Sequence, residues 1–264
     1  MKDLLFGCST WFFQDHSVCS ALQTIKKCGF QAAEIWMEHL WKSDESMKEI
    51  EGLAKILDLP LSLHAASYDV NITSANPGIR RESLQQVRES LLVAADLGAD
   101  PVVVHGGRLS SSRGDTEEYW KLLDEAFQIL DELAARVGVR VGVEAMEKRS
   151  KEMFVSPTDI RRMMSKEWKH VGLTVDLAHI QTVMKHEQFF SSIERKWITH
   201  AHMSDFSQDV THVPLGQGSL DIDRALRALS SHYRGTVVLE GFIRGRGQET
   251  VQANGDFLRS HGWL

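Results

Sequence analysis

The stretch VGLTVDLAH, Val171 to His179, sets an apolar, β-branched run against a terminal aspartate, Asp176, with His179 three residues further on. A carboxylate at the end of a buried strand must be paired, hydrogen-bonded or bound to a cation, because burying it bare is too costly. Other apolar runs carry residues of the same kind near their ends: His64 in LSLH, His105 in VVVH, Glu144 in VGVE, His202 in HAHM and Glu240 in VVLE. Each alone has an ordinary structural explanation. His64 or His105 could be a hydrogen-bonded core histidine. Glu144 could pair with Lys148 or Arg149, Glu240 with Arg244, and Asp176 could cap the turn that follows it.

Their joint placement needs a common cause. Several buried carboxylates meeting at one point repel, and a cation is the simplest resolution. Glu144, Asp176, His202 and Glu240 form a mixed oxygen and nitrogen set that suits a divalent metal, Mn²⁺ or Zn²⁺ foremost, with Mg²⁺ or Co²⁺ also compatible. His64 and His105 are candidates for a second metal site sharing Glu144, and His64 is also a candidate substrate contact. His179 and His212 are candidate ligands for substrate or a further metal. Trp11 is a candidate stacking surface for a bound ring, with packing an equal alternative. Packing is favoured for Trp36. Glu34 and Glu147 are candidate polar substrate contacts or structural ion pairs.

Bringing these residues together takes elements that the hydropathy pattern supplies. It predicts strands over Leu4 to Ser9, Ala32 to Met37, Leu61 to Ala66, VVVHGG after Pro101, Val139 to Glu144, Val171 to Asp176, Trp197 to His202 and Thr236 to Glu240. Amphipathic helices are predicted between them. They include Val18 to Cys28 with Ser17 as cap and Gly29 beyond its end, Ser46 to Leu57, Ile79 to Leu97, and one from Gly114 or Asp115 whose buried stripe is Leu123, Phe127, Leu130 and Ala134. Ser156-Pro157 starts another. Glu187 to Arg195, Ile222 to Leu229 and Glu249 to Arg259 complete the set.

Strict alternation implies parallel βαβ units, and eight of them imply an α/β fold with a single (β/α)₈ TIM barrel, one domain over 1–264. In such a barrel the chemistry sits at the C-terminal ends of the strands, where His64, His105, Glu144, Asp176, His202 and Glu240 fall. A doubly wound open sheet is the alternative, but no GxGxxG follows the first strand. His200, beside His202 in the alternation, is expected on the opposite face. His16, His39, His170, His186, His232 and His261 are expected at the surface.

Thirty Lys and Arg stand against 36 Asp and Glu, a formal net charge of -6. That balance argues against an extended nucleic-acid footprint. Three cysteines without CxxC spacing suggest reduced thiols and a cytoplasmic location. Neither a signal peptide nor a membrane span is expected.

The segments LHAASYDVNITSANPGIRRESL, LGADPVVVHGG, VGVEAME, LTVDLAH, HAHMSDF, HVPLGQGSLD and VVLEGF, in that order, resemble the xylose-isomerase-like TIM barrel superfamily. It joins sugar and sugar phosphate isomerases and epimerases to endonuclease IV-type apurinic-site endonucleases (AP endonuclease family 2). The ketose 3-epimerase branch implies one divalent metal on Glu144, Asp176, His202 and Glu240, stabilising an enediolate. There Glu144 and Glu240 move the proton as acid and base, and His179 hydrogen-bonds a substrate oxygen. A small sugar or sugar phosphate substrate and a homo-oligomer are compatible with that branch.

The endonuclease branch implies three zinc ions: one on His64, His105 and Glu144, one on Glu144, Asp176, His202 and Glu240, and one on His179 and His212 with an aspartate. The chain departs from this pattern. Val210 stands where that aspartate belongs, with Asp209 off register, and DLAH replaces DTxH. Arg80, Arg81, Arg244 and Arg246 are the candidates for gripping DNA, or else solvated surface charges. The isomerase/epimerase is the first expectation, the endonuclease the alternative, and a non-catalytic binding barrel the third.

Overall fold

The computed structural model describes residues 4–113, 115–208 and 210–264. Its strands are β1 (Leu4–Ser9), β2 (Ala32–Trp36), β3 (Leu61–His64), β4 (Val102–His105), β5 (Val141–Glu144), β6 (Val171–Asp176), β7 (Ile198–Met203), β8 (Asp205–Ser207), β9 (Val210–Val213) and β10 (Gly235–Leu239). Eight of them close a barrel in the order β1-β10-β7-β6-β5-β4-β3-β2, and every pairing around it is parallel. This is the predicted (β/α)₈ TIM barrel. Helices return the chain between strands, and their apolar stripes pack on the outside of the barrel. Leu123, Phe127, Leu130 and Ala134 are all fully buried.

Local sequence sets most boundaries. Ser17 caps Val18–Lys27 by accepting from the Ser20 amide. Ser46 and Glu49 form a capping box at Met47–Ile56, satisfying amides that lack partners in the first turn. Several limits differ from the sequence pattern, among them the helix predicted over Glu187 to Arg195, which spans only His186–Ser191, and two others have a plain local cause. The helix predicted from Ile79 begins at Pro77, because the Asn76 side chain accepts from the Gly78 and Ile79 amides and Pro suits the first turn. Strand β5 begins at Val141 because the Val139 amide donates back to the Ala134 carbonyl and closes the preceding helix. Gly114 lies outside the described residues, and Asp115 caps the helix Thr116–Val137.

The connection after β7, which the sequence pattern leaves as a loop, folds into the antiparallel hairpin β8-β9. Asp205, buried, organises it. Its Oδ2 accepts from the Gly216 and Gly218 amides at 3.0 and 2.9 Å, and its Oδ1 from Phe206 and Leu220 at 2.8 and 3.0 Å. Asp205→Ala would strip four backbone donors of their acceptor. Since a lost charged hydrogen bond is worth roughly 1.5–3 kcal/mol, we expect a stability loss on the order of 3 kcal/mol, read as a lower midpoint in urea unfolding. Among the described residues no helix is long and apolar enough to cross a membrane.

Candidate active site

Register brings the strand-end residues together. His105 is paired with Glu144 across β4 and β5, and Asp176 with His202 across β6 and β7. Val238 is paired with His202, so Glu240, two residues further on, stands above it on the same face. One ligand atom each from Glu144, Asp176, His202 and Glu240 lies within 4.8 Å of the others, and all four residues are buried. His202 Nδ1 is 3.4 Å from both Glu144 Oε1 and Glu240 Oε2. Two further groups flank this one: His64, His105 and Glu144, and Asp176, His179 and His212. His105 Nε2 is 3.2 Å and His64 Nε2 3.8 Å from Glu144 Oε2.

Asp176 has two tasks. Its Oδ1 accepts from the His179 amide at 2.8 Å and caps the short helix Leu177–Gln181. Its Oδ2 is buried without a hydrogen-bond partner, as are Glu240 Oε1 and His179 Nε2. Buried polar atoms are rarely left so. These orphaned atoms, on a hard-oxygen and imidazole donor set, fit a divalent cation. His212 is held at φ 61°, in the left-handed region, with its amide donating to Ser204 Oγ. Strain of that sort in a non-glycine residue survives only where its surroundings enforce it.

A cavity of about 220 Å³ opens over the cluster. Its floor and one wall are His64, His105, Glu144, Glu147, His179, His212 and Glu240. The other wall is aromatic. Trp36 stacks on His64 at 4.0 Å between centroids, Trp11 lies 4.4 Å from Trp36, and Phe242 meets Trp11 edge-on at 5.6 Å. Phe242 and Met146 were not among the candidate residues read from the sequence. Each lies two residues beyond a strand-end glutamate, and that spacing is the signal that could have found them.

The electrostatics follow the geometry. Burial raises Glu144, but the His105, His202 and His64 imidazoles more than offset it and hold the carboxyl well below its ordinary range. Burial pushes Glu240 up to about 8; His202 pulls against this, while Glu144, Glu34 and Asp176 add to the rise. Burial opposes charge on His179, yet Asp176, Glu144, Glu147 and Glu240 together push it up to about 9. Below these values Glu240 and His179 keep protons that a divalent ion at the cluster must displace or repel. Mn²⁺ affinity is therefore expected to rise from about pH 6 to about pH 8, with proton release, and a calorimetric series flat over that range would contradict it. Glu240 alone acts on the fold in the opposite sense. Its neutral form stabilises the protein fully only below the ordinary carboxylate range, and that contribution is lost as pH rises towards 8.

Three expectations need correction. His200 does not face away from His202: residues two apart on a strand share a face, and His200 is buried inside the barrel with Nε2 3.0 Å from Glu34 Oε2. His39 and His186 are buried and not at the surface, each ring satisfied by a backbone carbonyl 2.8 Å away, of His16 and Leu177 respectively. Of the two alternatives given for Glu34, the ion pair is the one found: it is fully buried beside His200 and His202 and does not line the cavity. Glu147 does line it, and also pairs with Arg149 at 2.8 Å. Among the arginines considered for DNA, Arg80 donates to the Ser74 carbonyl, while Arg81, Arg244 and Arg246 are exposed. Val210 is exposed on β9, and Asp209 lies outside the described residues.

A closed barrel with this rim defines a class, and the chain belongs to it: the model of the xylose isomerase-like TIM barrel family matches residues 22–261. Among curated relatives, the 3-dehydro-D-guloside 4-epimerase of Escherichia coli (strain K12) is 26% identical over 268 aligned positions, 98% of each chain. The crystal structure of the E. coli 3-keto-D-glucoside 4-epimerase has a TM-score of 0.83 at 23% identity, covering 97% of this chain and 99% of that one. At that identity the likeness is one of fold. A probable endonuclease 4 of Mycobacterium tuberculosis is 32% identical over 118 residues, 41% of this chain and 43% of its own.

Proposed function

We propose that this protein is a divalent-metal-dependent sugar isomerase or epimerase. The observation that carries the reading is the buried group of Glu144, Asp176, His202 and Glu240, of which Glu144 and Glu240 line a cavity with an aromatic wall. These four residues would hold the ion, which when bound would supply Lewis-acid polarisation of the substrate's oxygens. The chain's own residues do the rest. Trp11, Trp36 and Phe242 give the apolar face of a sugar ring a surface to stack on. His179, whose Nε2 has no hydrogen-bond partner among the described residues, would hydrogen-bond a substrate oxygen. One of Glu144 and Glu240 takes the proton from the carbon beside the carbonyl, and the freed electron pair moves onto the carbonyl oxygen. The other glutamate returns a proton from its own side.

The full-length likeness to an epimerase supports this reading. The cavity is lined by acids, imidazoles and aromatic rings, with no Lys or Arg among the described lining residues. An uncharged sugar therefore suits it better than a sugar phosphate, whose charge would meet glutamates without a cationic partner. The test is exchange of substrate C–H protons with D₂O by the Mn²⁺-loaded protein across neutral and phosphorylated ketoses and keto-glycosides. Exchange with neutral sugars is the expected result, and none with any substrate would defeat the proposal.

The second reading is a zinc-dependent apurinic-site phosphodiesterase. Two observations favour it: the groups flanking the central four, which offer places for further ions, and the local endonuclease likeness. Elemental analysis separates the two readings. Three ions per chain, with nicking of abasic duplex DNA, would favour the endonuclease.

A further inference from the structure

Beneath the carboxylate cluster lies a second buried polar group that the proposed chemistry does not use. Glu34 on β2, Ser62 on β3, and His200 and His202 on β7 meet inside the barrel, none more than 4% exposed. Glu34 Oε2 accepts from Ser62 Oγ at 2.9 Å and lies 3.0 Å from His200 Nε2. Glu34 Oε1 lies 3.0 Å from His202 Nε2, at ion-pair distance but without hydrogen-bond alignment, and among the described residues neither atom has a hydrogen-bond partner. Neither Glu34 nor His200 nor His202 lines the cavity. Aliphatic side chains normally fill this layer of a barrel, and a carboxylate shut away from water is costly even when paired. The group needs a reason to be there.

His202 supplies one. Its Nε2 faces Glu34, while its Nδ1 is 3.4 Å from Glu144 Oε1 and 3.4 Å from Glu240 Oε2. A single imidazole therefore joins the two groups, with one nitrogen given to each. The two ring nitrogens of histidine are not equivalent, and the partner of one decides what the other can do.

We propose that Glu34 is a positioning residue: its carboxylate pairs with His202 Nε2 and so presents Nδ1 to Glu144, Asp176 and Glu240. This rests on reading that cluster as a cation site. A carboxylate behind a ligating imidazole fixes its tautomer and ring orientation and raises its basicity. Ser62 and His200 act one step further back. They engage the other oxygen of Glu34, so the carboxylate cannot turn away from His202.

The test compares Mn²⁺ binding to the wild-type chain and to Glu34→Gln by calorimetry, alongside thermal unfolding of both in chelator. The expected result is an affinity loss of about 10–100-fold with a chelated unfolding temperature close to wild type. A purely structural role would lower that temperature and leave the affinity of the folded variant unchanged, which would overturn the proposal. Should Glu34→Gln not fold, the wild-type chain decides: in ¹⁵N-labelled, Zn²⁺-loaded protein, long-range ¹H–¹⁵N correlations should place the His202 proton on Nε2. A proton on Nδ1 would overturn the proposal. If the wild-type chain binds no divalent ion, the cation reading falls and this inference with it. Wild-type binding with unchanged affinity in Glu34→Gln sinks the inference alone.

Discussion

In the Glu144→Gln variant, exchange of a substrate C–H proton with D₂O is expected to fall by about 10²–10⁴-fold, the contribution of a positioned acid–base group. Gln is close in shape and keeps one oxygen for a cation, but it cannot accept the proton. Glu144 is the residue on which the site converges: His64 and His105 approach its Oε2, and His179 and His202 its Oε1, each imidazole nitrogen within 3.8 Å. Glu240→Gln is expected to have an effect of similar size. The double variant should be far less than multiplicative, because the two act on one proton transfer and their losses do not add. Undiminished exchange in both single variants would remove the two-carboxylate mechanism. Exchange lost in Glu144→Gln with Mn²⁺ still bound would support it directly.

The second large effect concerns Asp176, whose two oxygens separate structure from binding. Asp176→Asn keeps a cap for the helix Leu177–Gln181, since Asn caps about as well as Asp, but it removes the negative charge and one oxygen donor. Asp176→Ala removes both. Mn²⁺ affinity is expected to fall in both variants by at least the roughly 10–100-fold that loss of an outer-shell partner brings. Only Asp176→Ala should add a stability loss of about 1 kcal/mol in the chelated protein, the usual value of an N-cap. Calorimetry and urea unfolding of the two proteins measure the two effects independently. Wild-type affinity in Asp176→Asn would take Asp176 out of the cation site.

Much of this was legible in the residues. A carboxylate or imidazole closing an apolar run is conspicuous, since nothing in strand formation calls for it. Strand and helix alternation pointed to the barrel, and the barrel assigned those residues to one rim. The reading missed where the signal was tertiary. His200 was expected on the face opposite His202, although residues two apart on a strand share one, and only the barrel interior shows what faces it: Glu34, 166 positions away in the chain. The hairpin β8-β9 was hidden in the same way. Its strands are short and polar, and it is organised by one buried carboxylate, Asp205, and four backbone amides that no local pattern announces.

By itself the sequence determined the succession of elements and the kinds of residue at their ends, because hydropathy period, caps and β-branching act over a few residues. Tertiary structure decided what those residues meet. Closure of the barrel and the register of its strands set Asp176 beside His202 and His105 beside Glu144. The same closure left His202 between the Glu144 and Glu240 carboxylates on one side and Glu34 on the other. Such contacts join distant parts of the chain, and their strength depends on a burial that exists only once the barrel has closed.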